Sequence, residues 1–228
     1  MNDVALFLAR GIPPEMVETF THLVFSPDLS DATLMIEQLF DDGVSPESVM
    51  LELLAPAARL MGDMWCGDEA NFLDVTLGLS RIQHLMRQFR LPAFHPDGER
   101  GWALLVPVPG EQHCFGLRVV EEFLLRDGWR VRLAQVEDEA DLRRLVAADA
   151  YDFVGFSISG VRLLPALCSA IREVRTVSRN RNTRIMVGGA IFAGEVGGVF
   201  ETGADATVRD AREAVTQANR WYDLAGVA

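Results

Sequence analysis

Up to about Leu91 the hydrophobic positions recur at helical spacing; after residue 100 they become short apolar runs separated by helical stretches. In the first part, Pro13 and Pro14 open a predicted helix bearing Met16, Val17, Phe20, Leu23 and Val24, and Pro27 ends it. Leu34, Ile36, Leu39 and Phe40 mark a second, stopped at Gly43. Ser45-Pro46-Glu47-Ser48 reads as a cap with proline at the first helical position, and a third helix follows through Val49, Leu53, Leu54, Ala57, Leu60, Met61 and Trp65. A fourth spans roughly Phe72 to Phe89. Four helices with short connections predict a bundle.

Pro92 to Arg100 holds two prolines, a glycine and charges, the composition of a linker. The chain is therefore expected to divide into a helical domain over 1–91, a linker over 92–100 and a second domain over 101–228. In the second domain strands and helices alternate. Strands are predicted at Trp102 to Val108, Arg130 to Ala134, Phe153 to Ser157, Arg184 to Val187 and Ala206 to Val208. Helices are predicted at Cys114 to Arg126, Glu137 to Ala147, Arg162 to Val177 and Arg212 to Tyr222, with a short one after the fourth strand. Five such units predict an α/β, flavodoxin-like parallel sheet of order 2-1-3-4-5 with right-handed crossovers.

Composition narrows the function. The 228 residues carry 21 basic and 33 acidic side chains, a formal net charge of −12, and 49% are hydrophobic. Such a chain buries real cores, and its acidity argues against nucleic-acid binding through a broad basic surface. Arg175, Arg179, Arg181 and Arg184 form the one local basic cluster, read as a solvated helix end and loop. Cys66, Cys114 and Cys168 are widely spaced, with no Cys-x-x-Cys pair, which fits a reducing cytoplasm. Neither a signal peptide nor a run of membrane-spanning length is visible. A soluble cytoplasmic protein is expected.

The candidate chemistry lies in Gly110-Glu111-Gln112-His113-Cys114-Phe115-Gly116, where the first strand turns into a helix. The carboxyl edge of an open α/β sheet is where ligands bind. A glutamate two residues before a histidine suits a carboxylate that holds the imidazole's tautomer while the other nitrogen ligates a metal or works as a base. The same residues also suit an ordinary loop.

The order of motifs adds to this. Gly110 to Gly116 is followed by Val154-Gly155-Phe156-Ser157-Ile158-Ser159-Gly160, then by Ile185-Met186-Val187-Gly188-Gly189-Ala190 and Thr202-Gly203-Ala204-Asp205-Ala206. The series resembles the cobalamin-binding domain of methionine synthase, corrinoid methyl carriers, mutases and light sensors, with its Asp-x-His-x-x-Gly, Ser-x-Leu and Gly-Gly. Glu111 stands for the family's Asp and Ser159 for its Leu. Leu54 to Trp65 is similar to the helical cap that precedes this domain. Among such proteins the chain most resembles the AerR/PpaA antirepressors of purple bacteria.

The resemblance implies cobalamin as cofactor, with His113 as lower axial cobalt ligand and Glu111 on its other nitrogen. It further implies Gly110, Gln112, Cys114, Phe115 and Gly116 around that loop, Ser157, Ser159 and Val161 beside the nucleotide tail, Gly188 and Gly189 leaving the tail room, and Ala211 near its entry. Trp65 and Phe72 would face the upper side of the corrin, although apart from the resemblance an aromatic such as Trp65 on a bundle helix is more often a core residue. Light sensors of this kind carry a cap histidine where this chain has Thr76, which leaves the upper axial place to water, hydroxide or another ligand. The implied role is regulatory, without catalytic residues: contact with a PpsR/CrtJ-type repressor of photosynthesis genes. A corrinoid methyl carrier, a haem sensor using the same histidine, and an interaction module without cofactor are the other readings.

Overall fold

The structure is a computed structural model that describes residues 11–89, 100–192 and 202–225. The chain forms two compact units, Met1–Leu91 and Pro92–Ala228. Of the expected linker only Arg100 lies within the described residues.

In the first unit, α1 (Pro14–Phe25) and α2 (Ser30–Asp41) fall where the apolar spacing predicts them. The Ser45 hydroxyl accepts the Ser48 amide at 3.1 Å, capping α3 (Pro46–Ser48). The third predicted helix then changes pitch. A π-helical segment, Val49–Leu54, joins α3 to α4 (Ala55–Cys66), and the Ala55 amide donates to the Met50 carbonyl five residues back. Pro56 accounts for the wider turn: it has no N–H for the carbonyl four residues earlier, and its ring crowds that carbonyl in an ordinary helix. The Asn71 side chain accepts the Asp74 amide and starts α5 (Phe72–Gln88). Phe20, Val24, Ile36, Leu39, Leu53, Met61, Ile82 and Leu85 are buried, as their spacing predicts. Gly78 lets α5 run close to α4, since a Cβ there would sit 2.9 Å from the Met61 sulfur.

The second unit is a five-stranded parallel sheet of order β2-β1-β3-β4-β5: β1 (Trp102–Pro107), β2 (Arg130–Leu133), β3 (Phe153–Ser157), β4 (Arg184–Gly188) and β5 (Ala206–Thr207). This is the predicted flavodoxin-like order. The helices are α6 (Phe115–Arg126), α7 (Glu139–Ala148), α8 (Leu164–Val177) and α9 (Ala211–Ala225). Side-chain alternation divides the core in two. Leu104, Val106, Val154, Phe156, Ile185 and Val187 pack with Leu142 and Val146 of α7 and Leu167 and Ile171 of α8. Ala103, Leu105, Phe153 and Met186 pack with Leu117 and Leu124 of α6 and Ala214 and Ala218 of α9.

Boundaries differ from expectation by one to three residues, the largest difference being the end of α9 at Ala225 rather than Tyr222. Asp138 caps the Asp141 amide, so α7 starts at Glu139 rather than Glu137. The turn Val161–Leu163 is a 3-10 helix ahead of α8, and the short helix after β4 is likewise a 3-10 turn, Ala190–Phe192. The parallel order puts the carboxyl ends of all five strands on one edge of the sheet. Among the described residues no helix is long and apolar enough to cross a membrane.

Candidate functional site

The loop after β1 begins with a tight turn. The Glu111 amide donates to the Val108 carbonyl at 2.8 Å, and Gly110, with φ of +88°, supplies the left-handed position that follows a proline in a type II turn. That turn directs the Glu111 side chain inward, where it is 1% exposed. One carboxylate oxygen accepts the Gln112 amide, the His113 amide and the His113 Nδ1–H at 2.8, 2.8 and 2.7 Å. The other accepts the Ser159 amide at 2.5 Å, from the loop after β3. Burial pushes the Glu111 carboxyl up, but donation from the Ser159 hydroxyl and amide and from the His113 amide and ring outweighs it, and the net direction is down from the ordinary glutamate value.

An anionic carboxylate leaves Nδ1 as the donor in this pair, so the neutral ring carries its lone pair on Nε2. The His113 side chain is 64% exposed. Its basic nitrogen is thus fixed in tautomer and open to a ligand, the arrangement that second-shell carboxylates give to metal-bound histidines. Among the described residues no group of three or more His, Cys, Asp or Glu could hold a metal. A single histidine suits a metal whose equatorial ligands come from a macrocycle, and the donor set fits a corrinoid or a haem.

The rest of the β1 loop, the loop after β3 and residues 189–192 after β4 share this edge. Gln112 is exposed; Cys114, just before α6, is half-buried and accepts from the Gln135 amide group at 3.5 Å; Phe115 opens α6. Sequence reasoning did not single out Gln135. At Gly116 an added Cβ would meet nothing within 4 Å, so open space lies beside the start of α6. Ser157 ends β3 in register with Gly188 of β4, Ser159 is half-buried and Val161 is exposed.

The glycine pair has a reason inside the fold. Gly189 has φ of +119°, and a Cβ there would stand 2.1 Å from the Ile158 carbonyl oxygen; at Gly188 it would stand 3.3 Å from Val208. Both glycines let backbone approach backbone, and that packing accounts for them before any ligand does. Ala211 is buried at the start of α9.

On the helical unit, Trp65 is 42% and Phe72 69% exposed, and their rings meet edge to face at 6.3 Å. Trp65 is thus a surface residue and not the core aromatic its spacing also allowed. Leu73 and Leu77, which the sequence reading took no notice of, extend the exposed apolar patch on α5. Helical spacing alone could not separate them from core leucines. Thr76 is exposed, its hydroxyl bound to the Phe72 carbonyl at 2.7 Å, and His84 is exposed further along α5.

The chain is similar to known proteins in sequence and in fold. A 20.5 kDa protein from the bchF-crtJ intergenic region of Rhodobacter capsulatus, itself uncharacterised, is 29% identical over 182 residues, 77% of this chain and 94% of that one. Monomethylamine corrinoid protein 1 of Methanosarcina acetivorans is 22% identical over 210 residues, 88% of this chain and 94% of its own. The solved monomethylamine corrinoid protein of Methanosarcina barkeri has the same fold, with a TM-score of 0.69 at 16% identity over 90% of this chain and 98% of that one. The B12 binding domain family matches residues 101–218, the sheet unit almost end to end, and the chain belongs to that family.

Proposed function

We propose that the protein is a cobalamin-binding, light-responsive transcriptional regulator of the cytoplasm. In this reading it acts as an antirepressor by contact with a PpsR/CrtJ-type repressor of photosynthesis genes and binds no nucleic acid itself. The observation that carries the reading is the Rhodobacter capsulatus relative, which matches over most of both chains and whose name places it beside crtJ. Cobalamin, when bound, would supply a cobalt centre responsive to light and to redox chemistry. The protein's part is to present His113 Nε2 to that centre, to hold the Nδ1 proton on Glu111, and to leave room beside Gly116. Ser157, Ser159 and Val161 are assigned to the nucleotide tail, and Trp65 and Phe72 to the cofactor's other face.

A second reading, a corrinoid methyl carrier, is favoured by the monomethylamine corrinoid proteins, which are similar along nearly the whole chain. Methyl transfer from a methylated donor under reducing conditions belongs to that reading alone. The test of the first is an absorption spectrum after mixing with hydroxocobalamin, methylcobalamin, adenosylcobalamin or haemin, in dark and light, followed by desalting. Retention of one cobalamin with a histidine-ligated spectrum, and light-dependent retention of the alkyl forms, is expected. Retention of haemin alone would replace cobalamin by haem as the occupant.

A further inference from the structure

The edge of the sheet opposite His113 carries a groove that the cofactor reading does not use. Phe153, preceded by Asp152, begins β3 and Arg184 begins β4, so the amino ends of these strands open into a cavity of about 600 Å³. The five residues of β3 separate it from the Ser157 end by roughly 16 Å. Arg175 also borders a second cavity of about 520 Å³ along α8, with Arg172 and Thr176, so the two cavities meet at this side chain. Tyr222 and Leu224 of α9, 41% and 63% exposed, form the groove's apolar side.

This groove is lined by Arg175, Arg181 and Arg184, three of the four arginines of the basic cluster seen in the sequence, and these arginines differ in what they do. Arg175 is spent on the fold: it donates to the Thr183 and Gly203 carbonyls and pairs with Asp205 at 2.7 Å. Arg179, outside the lining, donates to the Ala148 carbonyl. Arg181 makes one bond, to the Thr176 carbonyl at 3.3 Å, and Arg184 lies 3.8 Å from Asp205 with its side chain 54% exposed. Each guanidinium has five N–H donors, so most of those on Arg181 and Arg184 point to no described residue. Asp152, the carboxylate in the lining, is engaged by the Trp102 amide. Sixteen of the 21 basic residues fall within 92–228, although the whole chain is at −12. Arginine beside exposed aromatic and aliphatic groups is the composition of protein-binding surfaces.

We propose that this groove holds the partner protein, which presents a segment with carboxylates for Arg181 and Arg184 and an apolar side chain for Tyr222 and Leu224. The proposal rests on the antirepressor reading, because it names the contact face of that partner. It also separates the two surfaces: cofactor on the carboxyl edge of the sheet, partner on the amino edge.

The test titrates the purified PpsR/CrtJ-type repressor from the same genome onto the full-length protein loaded with hydroxocobalamin. The Arg181→Gln/Arg184→Gln double variant and, separately, Leu224→Asp are each expected to bind the repressor at least tenfold more weakly while retaining cobalamin with the unaltered spectrum. Added salt should weaken the wild type more than the double variant. Variants that bind as the parent does overturn the groove and leave the antirepressor reading standing. A wild type that retains cobalamin but ignores the repressor overturns both. Self-association of the wild type that Leu224→Asp abolishes, with repressor binding untouched, assigns the groove to a second copy and overturns the partner assignment.

Discussion

The two surfaces assigned to the cofactor are built in opposite ways. On the sheet unit, a buried carboxylate gathers three backbone amides and an imidazole N–H, from loops 48 residues apart at their closing bond, and fixes one histidine nitrogen. On the helical unit, Trp65, Phe72, Leu73 and Leu77 offer exposed apolar area, and the nearby Thr76 hydroxyl is already bonded to its own helix. A polar site preorganised to this degree contributes directional affinity, whereas an apolar patch tolerates displacement. Under the proposed function, the first surface is the one to hold the cofactor and the second the one to sense its state.

The largest expected effect is His113→Ala. If the imidazole is the protein's only bond to cobalt, cobalamin affinity should fall about 100-fold or more, the upper end of what loss of even an outer-shell partner costs. Because the ring is 64% exposed, the melting temperature of the cofactor-free variant should stay with the wild type. Equilibrium dialysis with hydroxocobalamin checks the first expectation and calorimetry the second. Full binding by a folded variant would remove the axial assignment and with it the contrast.

Glu111→Gln should come next, with affinity lowered about 10- to 100-fold, because an amide no longer fixes the ring nitrogen's proton as an anion does. It should also destabilise the cofactor-free protein by about 1–3 kcal/mol, since hydrogen bonds to a buried charge are lost. The direction of the Glu111 shift adds a pH signature. Its folded pKa lies below the unfolded value, so the stability it contributes is complete above the ordinary glutamate value and disappears as pH falls through the depressed one. The gap in melting temperature between wild type and Glu111→Gln should therefore narrow on going from pH 7 to pH 3. A constant gap would show that the carboxylate's charge is not what ties the two loops together.

The sequence made these two surfaces visible to different degrees. Apolar runs and turn residues sufficed to place β1, β3 and β4, because parallel strands covered on both faces are hydrophobic along most of their length; β2, with exposed Arg130 and Arg132 alternating with Val131 and Leu133, was legible only through the βα repeat. The His113 loop was visible because Pro109-Gly110 marks a turn and Glu111 stands two residues from the histidine, a local relation. The reason for Gly189 was not: it lies in the Ile158 carbonyl, 31 positions earlier, and nothing local records that approach. The π-helical segment had a signal in Pro56, which lacks the N–H its helix requires, though only the structure shows the pitch change falling ahead of it. Trp65 was ambiguous because it continues the stripe of Met61, four residues earlier. Met61 is buried and Trp65, in the last turn of α4, is not, a difference set by tertiary packing.

Trp65→Ala should have the smallest effect on holding and the most specific effect on sensing. Its half-exposed ring rests on Phe72 at 6.3 Å, so removing it costs one edge-to-face pair, about 1 kcal/mol, and a change of at most a few degrees in melting temperature. Hydroxocobalamin affinity should fall by no more than about tenfold, because the bond to His113 and the loops of the sheet unit are untouched. The light-dependent difference in repressor binding, measured with adenosylcobalamin or methylcobalamin bound, should vanish if the helical unit reads the cofactor through this ring. A variant that loses cobalamin as completely as His113→Ala would place the aromatic patch among the holding groups and erase the division. One that keeps both cobalamin and the light response would move the sensing surface to Leu73 and Leu77, the exposed residues that continue the patch along α5.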